Sequence, residues 1–278
     1  MPTFKQVDVF TSQKYRGNPV AVFFNAEEIP DLEKSLMSAW TNLSEATFVQ
    51  KPTHPEADYK VQIFALQEEL PFAGHPTIGT CHALLEAGLI EPKNGKIVQE
   101  CGAGLVTLSV SEAEEVEILF VLPYAKPIGG QEQYLEELSC ALGGFRLLGA
   151  FGYDVGPLWY VVELENAEVV IGLTPDFAAL SALSEKMGIT GFQVLGRHAE
   201  QHTFETRTFA PLVGIKEDPV CGSGSGATGA YLRDKKGFNG VVYLRQGTVL
   251  NREGRIKVTC DKEISVRGSA VTVINGEY

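Results

Sequence analysis

Short alternating runs of apolar and polar residues dominate this chain, and they predict strands more often than helices. QVDVFTS (Gln6 to Ser12) and PVAVFF (Pro19 to Phe24) flank YRGN and read as a hairpin or bulged strand pair. Asp31 to Trp40 reads as a helix, with Pro30 near its start and Leu32, Leu36, Met37 and Trp40 on one face. NLSEATFV (Asn42 to Val49) ends as a strand that Glu45 interrupts, and ADYKVQIFA (Ala57 to Ala65) alternates as another. KIVQECGAGLVTLSV and EEVEILFVLP are β-rich, with Gly102 and Gly104 as bulge or turn positions. Pro123 to Gly130 is the most linker-like segment. A helix over Gln131 to Leu142 and strands at Arg146 to Tyr153 and Leu158 to Glu163 follow it. Thr174-Pro175-Asp176 then opens a helix, with Thr174 as N-cap. HTFETRTFAP (His202 to Pro211) alternates like a strand, and Gly240 to Val273 is strand-like throughout.

Two stretches break this pattern in the same way. In ELPFAGHPTIGTCHALLEAG (Glu69 to Gly88), Ile78, Cys81, His82 and Leu85 fall at i, i+3, i+4 and i+7, so a helix opens near His75 and stops at Gly88. EDPVCGSGSGATGAYL (Glu217 to Leu232) repeats that grammar. An offset of 148 (221 minus 73) aligns Glu69 with Glu217, Pro71 with Pro219, Thr80 with Thr228 and Leu84 with Leu232. The chain therefore reads as two related halves, 1–123 and 124–278, leaving open that the last strand returns to the first half. Many short strands with one central helix per half do not alternate as a doubly wound sheet would, so the class is α+β with mixed or antiparallel strands. The Gly and Ala density from Gly222 to Ala230 suits a helix crowded by strands on every side.

Composition narrows the function classes. The 278 residues carry 23 Lys and Arg against 35 Asp and Glu, a net charge of −12, and no window gathers a basic stripe. Nucleic acid is an unsuitable partner for that charge. The N-terminus lacks an apolar leader, and the charge-free stretch Leu70 to Leu85, 16 residues long, is too short to span a membrane. Cys81, Cys101, Cys140, Cys221 and Cys260 are scattered singly, which fits a cytoplasmic protein with free thiols.

Several residues are candidates for chemistry. Helix starts after Gly74 and Gly222 present backbone N–H groups suited to an anion. His75 sits at the first of these turns, open to a structural or a functional role. Glu45 lies between apolar segments. It caps a helix with help from Asn42 or Ser44, or it is a proton-transfer carboxyl whose pKa burial has raised. Asp218 sets an Asx turn or serves the site, and Ser223 is a small helix-start residue or a ligand. Cys221, at a glycine turn before a helix, is either a reactive thiol or a packing residue. Gly224, Gly226 and Gly229 match GxGxxG. The approach KEDPV is a poor buried strand, and only 49 residues (278 minus 229) follow, too few for a dinucleotide-binding unit. His198 and His202 sit at i, i+4 in a strand-like segment, so no metal site is read there.

Five stretches taken together, VDVFTSQKYRGNPVAVFF, NLSEATFV, ELPFAGHPTIGTCHALLEAG, QECGAGLV and EDPVCGSGSGATGAYL, resemble the PhzF family of phenazine-biosynthesis-like isomerases. The resemblance implies a diaminopimelate epimerase-like fold of two similar domains, each a curved, barrel-like sheet around a central helix, with the active site in the cleft between them. It implies that Glu45 is the acid/base, shuttling a proton within a small carboxylated cyclic or amino-acid-like substrate without metal or organic cofactor. It further implies that His75, Asp218 and Ser223 hold the substrate and assist, with the N–H groups at Gly74 and Gly222 facing a carboxylate. Cysteine-dependent epimerases carry a Cys at both turns. Here Ala73 stands at the first and Cys221 alone remains, so two-thiol racemisation is not expected. A one-cysteine epimerase or dehydratase and a non-catalytic carboxylate-binding protein are the alternatives. A homodimer is expected from the resemblance and from the prevalence of twofold oligomers.

Overall fold

The computed structural model describes residues 3–65, 68–112 and 115–278. Glu114, the first residue of EEVEILFVLP, lies outside them. The chain divides into two compact units: Met1–Val121 with Arg267–Tyr278, and Leu122–Val266.

The first unit contains β1 (Thr3–Val9), β2 (Asn18–Phe23), α1 (Asp31–Thr41), β3 (Glu45–Gln50), β4 (Tyr59–Ala65), β5 (Glu68–Leu70), α2 (Gly74–Glu86), β6 (Lys96–Cys101), β7 (Gly104–Glu112) and β8 (Val116–Val121). The second unit continues with β9 (Lys126–Gly129), α3 (Leu135–Ala141), β10 (Gly149–Asp154), β11 (Leu158–Leu164), α4 (Ala167–Ile171), α5 (Phe177–Met187), β12 (Gly191–Arg197), β13 (Thr203–Ala210), β14 (Ile215–Asp218), α6 (Gly222–Lys236), β15 (Gly240–Gln246) and β16 (Gly254–Cys260). β17 (Ile264–Gly268) carries the chain out of the second unit, and β18 (Ala270–Glu277) pairs antiparallel with β1 of the first.

Strand pairing repeats between the units. β1 and β2 are antiparallel, β2 and β3 parallel, β3 and β4 antiparallel, β4 and β6 parallel, and β6 and β7 antiparallel. The series β10, β11, β12, β13, β15 and β16 shows the same signs in the same order. The outermost antiparallel partner is β18 on β1 and β9 on β10. Part of the linker-like segment Pro123 to Gly130 is therefore a strand.

Each sheet curls around one helix. α2 touches β18, β1, β2 and β3 near one end of the strand order and β8 at the other, and α6 touches β10, β11 and β12 as well as β16. Both helices are buried around most of their circumference rather than along one stripe. Small residues permit this: a Cβ at Gly79 would meet Val20 and Val9, and one at Gly229 would lie 2.6 Å from Val258 Cγ1. Gly88, at φ +66°, follows the C-cap of α2, and its N–H donates to Leu85 O as the helix ends. The GxGxxG glycines all lie inside α6, and their service is to packing.

The opposite sheet faces are covered differently. In the second unit α3, α4 and α5 bury Leu138, Leu142, Val170, Leu180 and Leu183 against Tyr160, Val162, Phe192, Val194 and Phe209. α4 was not foreseen; it is one short turn capped by Asn166 Oδ1. The helix after Thr174 takes its cap from Asp176, which accepts the Ala178 and Ala179 N–H groups at 3.0 Å, and Thr174 lies two residues ahead of that cap. Among the described residues of the first unit α1 is the helix on this face, and most of its predicted stripe points the unexpected way. Met37 packs on the core beside the buried Lys34 and Ser38, while Leu32, Leu36 and Trp40 face outward.

Candidate active site

Glu45 opens β3, opposite Ala65 of β4, so the helix-capping reading fails: the residue has strand geometry. Asn42 instead ends α1, at φ +55°, with its N–H on Ala39 O. The Glu45 side chain is 15% exposed, and its Oε2 lies 3.5 Å from His75 Nε2. That oxygen is buried and makes no hydrogen bond among the described residues. Burial pushes the Glu45 carboxyl up from its ordinary 4.5 to about 7, against a smaller opposing pull from the Ser44 hydroxyl.

His75 reaches Glu45 because it occupies the first turn of α2. Ala73 is the N-cap and offers no side-chain acceptor, so the N–H groups of this turn depend on partners from outside the helix. Gly74 is required by close packing, since a Cβ there would come 2.5 Å from Phe120 Cζ. The helix is braced beneath the site: Thr80 Oγ1 donates to Thr47 Oγ1 at 2.8 Å, and Gln99 Nε2 donates to Thr77 Oγ1 at 3.1 Å.

The second unit builds a related turn from different groups. Asp218 Oδ1 accepts the Val220 N–H at 3.0 Å, the Asx turn anticipated from the Asp-Pro pair. Cys221 is the N-cap of α6, its Sγ accepting the Gly224 N–H at 3.3 Å. Ser223 Oγ accepts from Trp159 Nε1 at 3.0 Å and lies 3.5 Å from Cys221 Sγ. Gly222 begins the helix between them. Gln246 ties this turn together, and sequence reading missed it. Its Oε1 accepts the Cys221 N–H at 3.2 Å, and its Nε2 donates to Asp218 O at 2.9 Å. The available signal was period two: Val242, Leu244 and Gln246 share the inward face of β15, and a buried amide there needs partners.

Arg207 supports the same turn from β13. Its Nε and Nη2 donate to the two Glu217 carboxylate oxygens at 2.8 Å each, and its Nη1 donates to Val170 O and Leu173 O. Both partners of this fork are nearly buried.

Strand register explains why only the first unit carries the carboxyl. Thr47 faces Ile63, which faces Leu70; Gln193 faces Thr208, which faces Asp218. Leu70 and Asp218 are 148 apart, so Thr47 corresponds to Gln193 and Glu45 to Gly191. At Gly191 a Cβ would run into the Phe209 carbonyl and approach Ala210 Cα to 3.0 Å. That position has no room for a side chain.

Comparison with known proteins agrees with this architecture. The family model for phenazine biosynthesis-like proteins (PhzC-PhzF) matches residues 7–276. The chain belongs to the PhzC-PhzF family. Antisense-enhancing sequence 1 of Schizosaccharomyces pombe is 44% identical, the match covering 99% of this chain and 98% of that protein. Trans-2,3-dihydro-3-hydroxyanthranilate isomerase of Pseudomonas aeruginosa is 30% identical, over 92% of this chain and 89% of that enzyme. Among solved structures, a PhzF-family protein of Bacillus anthracis superposes with a TM-score of 0.85 at 24% identity, covering 100% of this chain and 98% of that one. A probable proline racemase of Agrobacterium radiobacter shares the fold at a TM-score of 0.66 and 16% identity, over 100% and 93% of the two chains. The fold is thus the diaminopimelate epimerase-like α+β class, and this PhzF-family chain stands among isomerases. Among the described residues, no helix is long and apolar enough to cross a membrane.

Proposed function

We propose that this PhzF-family protein is an isomerase that moves a proton within a small carboxylated substrate, cyclic or amino-acid-like, with Glu45 as both acid and base and no cofactor. The observation that carries the reading is the Glu45 carboxyl, buried, brought to about 7 and set 3.5 Å from His75 at a helix start. A carboxyl with that pKa is populated in both forms near neutral pH, so it can remove a proton from one carbon and return it to another. In the first unit the opening turn of α2, at Gly74, supplies N–H groups and partial positive charge suited to a carboxylate, and in the second unit the opening turn of α6, at Gly222, offers the same chemistry. His75 of the first unit, and Asp218, Ser223 and Cys221 of the second, are the candidate side-chain contacts for a small carboxylate at these turns. The Pseudomonas aeruginosa relative, named for a ring carboxylate, supports this substrate class.

The test is to incubate the protein with candidate carboxylates in D₂O and follow deuterium incorporation by NMR. The reading expects exchange at carbon in at least one compound, and Glu45→Gln should slow it about 10² to 10⁴-fold. Turnover within about tenfold of wild type in Glu45→Gln would remove Glu45 from the chemistry. Loss of exchange in Cys221→Ser, with Glu45→Gln mild, would establish the one-cysteine reaction instead. A carboxylate that binds but never exchanges would establish a binding protein.

A further inference from the structure

From the contact between β11 and α6 we infer that Trp159 is a positioning residue of the second unit's turn, holding the Ser223 hydroxyl so that its proton is offered to an oxygen of a bound carboxylate. The inference rests on the proposed reading of the Gly222 turn as a carboxylate site. Trp159 is 4% exposed, and its Nε1–H donates to Ser223 Oγ at 3.0 Å. An indole nitrogen donates and does not accept. One lone pair of Oγ is therefore occupied, and the hydroxyl's own proton remains to be donated. Cys221 Sγ lies 3.5 Å away as a weak acceptor, and it already takes the Gly224 N–H at 3.3 Å. A carboxylate oxygen arriving at the partly exposed Ser223 is a stronger acceptor and captures that proton.

The internal repeat shows what this contact replaces. Ser223 stands where His75 stands in the first unit, at the same offset of 148 (223 minus 75). With Glu45 matched to Gly191, Ala46 falls on Phe192; Ala46 pairs with Ala21, and Phe192 with Tyr160. One residue back, Val20 corresponds to Trp159. In both units, then, the second residue of the central helix is approached by a polar group from this strand pair. Glu45 Oε2 of β3 comes 3.5 Å from His75 Nε2, whereas in the second unit the indole of Trp159 on β11, paired with Gly191, comes to Ser223. A titratable carboxyl has been exchanged for a donor of fixed protonation. Such a group moves no proton, but it sets the hydrogen-bond polarity of the hydroxyl it touches.

Packing alone does not call for the indole nitrogen. Val20, at the equivalent place, is fully buried with an aliphatic side chain. A serine hydroxyl left to itself rotates about its C–O bond and donates or accepts as its neighbours allow. The indole takes the accepting side. Ser225 N–H donates to Cys221 O, the carbonyl of the N-cap, at 3.1 Å, so the N–H groups of Gly222 and Ser223 lie ahead of the helix's own bonding. The oriented hydroxyl adds a side-chain donor to these two. A turn of donors favours a carboxylate over an amine.

A proton–nitrogen correlation spectrum of the full chain contains two tryptophan indole signals, and Trp40→Phe, at an exposed position, assigns them. Ser223→Ala should move the Trp159 signal upfield and leave that of Trp40 in place. Benzoate, a stable ring carboxylate, should move the wild-type Trp159 signal downfield, because a hydroxyl that donates to a ligand accepts more strongly from the indole. Trp159→Phe keeps an aromatic ring without the N–H and should weaken benzoate about three- to tenfold. Ser223→Ala should weaken it comparably, and the double variant should bind no more weakly than the weaker single one, since both remove one interaction. Additive losses would make Trp159 a packing residue and overturn the proposal; so would bound benzoate that leaves the Trp159 signal unmoved. If Trp159→Phe does not fold, the wild-type and Ser223→Ala signals decide. Absence of benzoate binding up to about 10 mM would overturn both this proposal and the carboxylate reading of the turn. Unaltered D₂O exchange in Glu45→Gln, with the benzoate results as expected, would remove the proposed proton transfer and leave the role of Trp159 standing.

Discussion

Replacing Glu45 by Gln should make the protein more stable above neutral pH while removing its activity, and the size of the gain follows from the carboxyl's environment. The group titrates at about 7 in the fold against an ordinary 4.5 in an open chain. Below 4.5 it is protonated in both states, and its contribution is fully present. As the pH rises from 4.5 to about 7, the unfolded chain ionises first, so stability is lost across this window. Above about 7 the whole penalty of a buried charge applies. At about 1.4 kcal/mol per pH unit the interval amounts to roughly 3 kcal/mol, an upper figure because the side chain retains 15% exposure. Glu45→Gln keeps the shape without the charge. Urea denaturation of both proteins at pH 4 and pH 8 should show near equality at the lower pH and Gln more stable by about 2–3 kcal/mol at the higher. Equal stability at pH 8, or a destabilised variant there, would mean that the carboxyl is not held near 7, and the argument for its acid/base role would go with it. Once a substrate is known, the carboxylate-dependent direction of wild-type turnover should rise through the same pH region.

Three further outcomes test the supporting structure. Arg207→Ala leaves the Glu217 carboxylate buried without its bidentate partner, and thermal or urea unfolding should record a loss of about 3–5 kcal/mol. Gly79→Ala drives a methyl against Val20 and to 2.9 Å from Val9 Cγ2, both fully buried, so the urea midpoint should fall by the equivalent of about 1–3 kcal/mol. Asp176→Ala removes the acceptor for two N–H groups at the start of α5 and should cost about 1 kcal/mol, whereas Thr174→Ala should cost far less, a comparison that circular dichroism melting resolves.

The alternation of apolar and polar residues and the repeat at an offset of 148 were enough to establish the α+β class, the two central helices and the turns that open them. These are local or periodic properties. A strand with one buried face must alternate, and a helix enclosed by strands must carry Gly and Ala where side chains would collide, as at Gly79 and Gly229. Glu45 stood out because a carboxyl among apolar neighbours requires an explanation whatever the fold.

What folding alone decided depends on contacts between residues distant in sequence. The approach of His75 to Glu45, thirty positions apart (75 minus 45), comes from packing α2 against β3, and the pKa near 7 follows from that burial. Gln246 bridging Asp218 and Cys221 depends on β15 lying beside β13, which no local pattern specifies. The orientation of α1 is the clearest case: helical spacing placed Leu32, Leu36, Met37 and Trp40 on one stripe, but Met37 packs on the core and the other three face out, because Gln62 of β4 receives Lys34 and the Phe64 carbonyl receives Ser38. Periodicity shows that a helix has two faces, and only the surface it lands on determines which of them is turned outward.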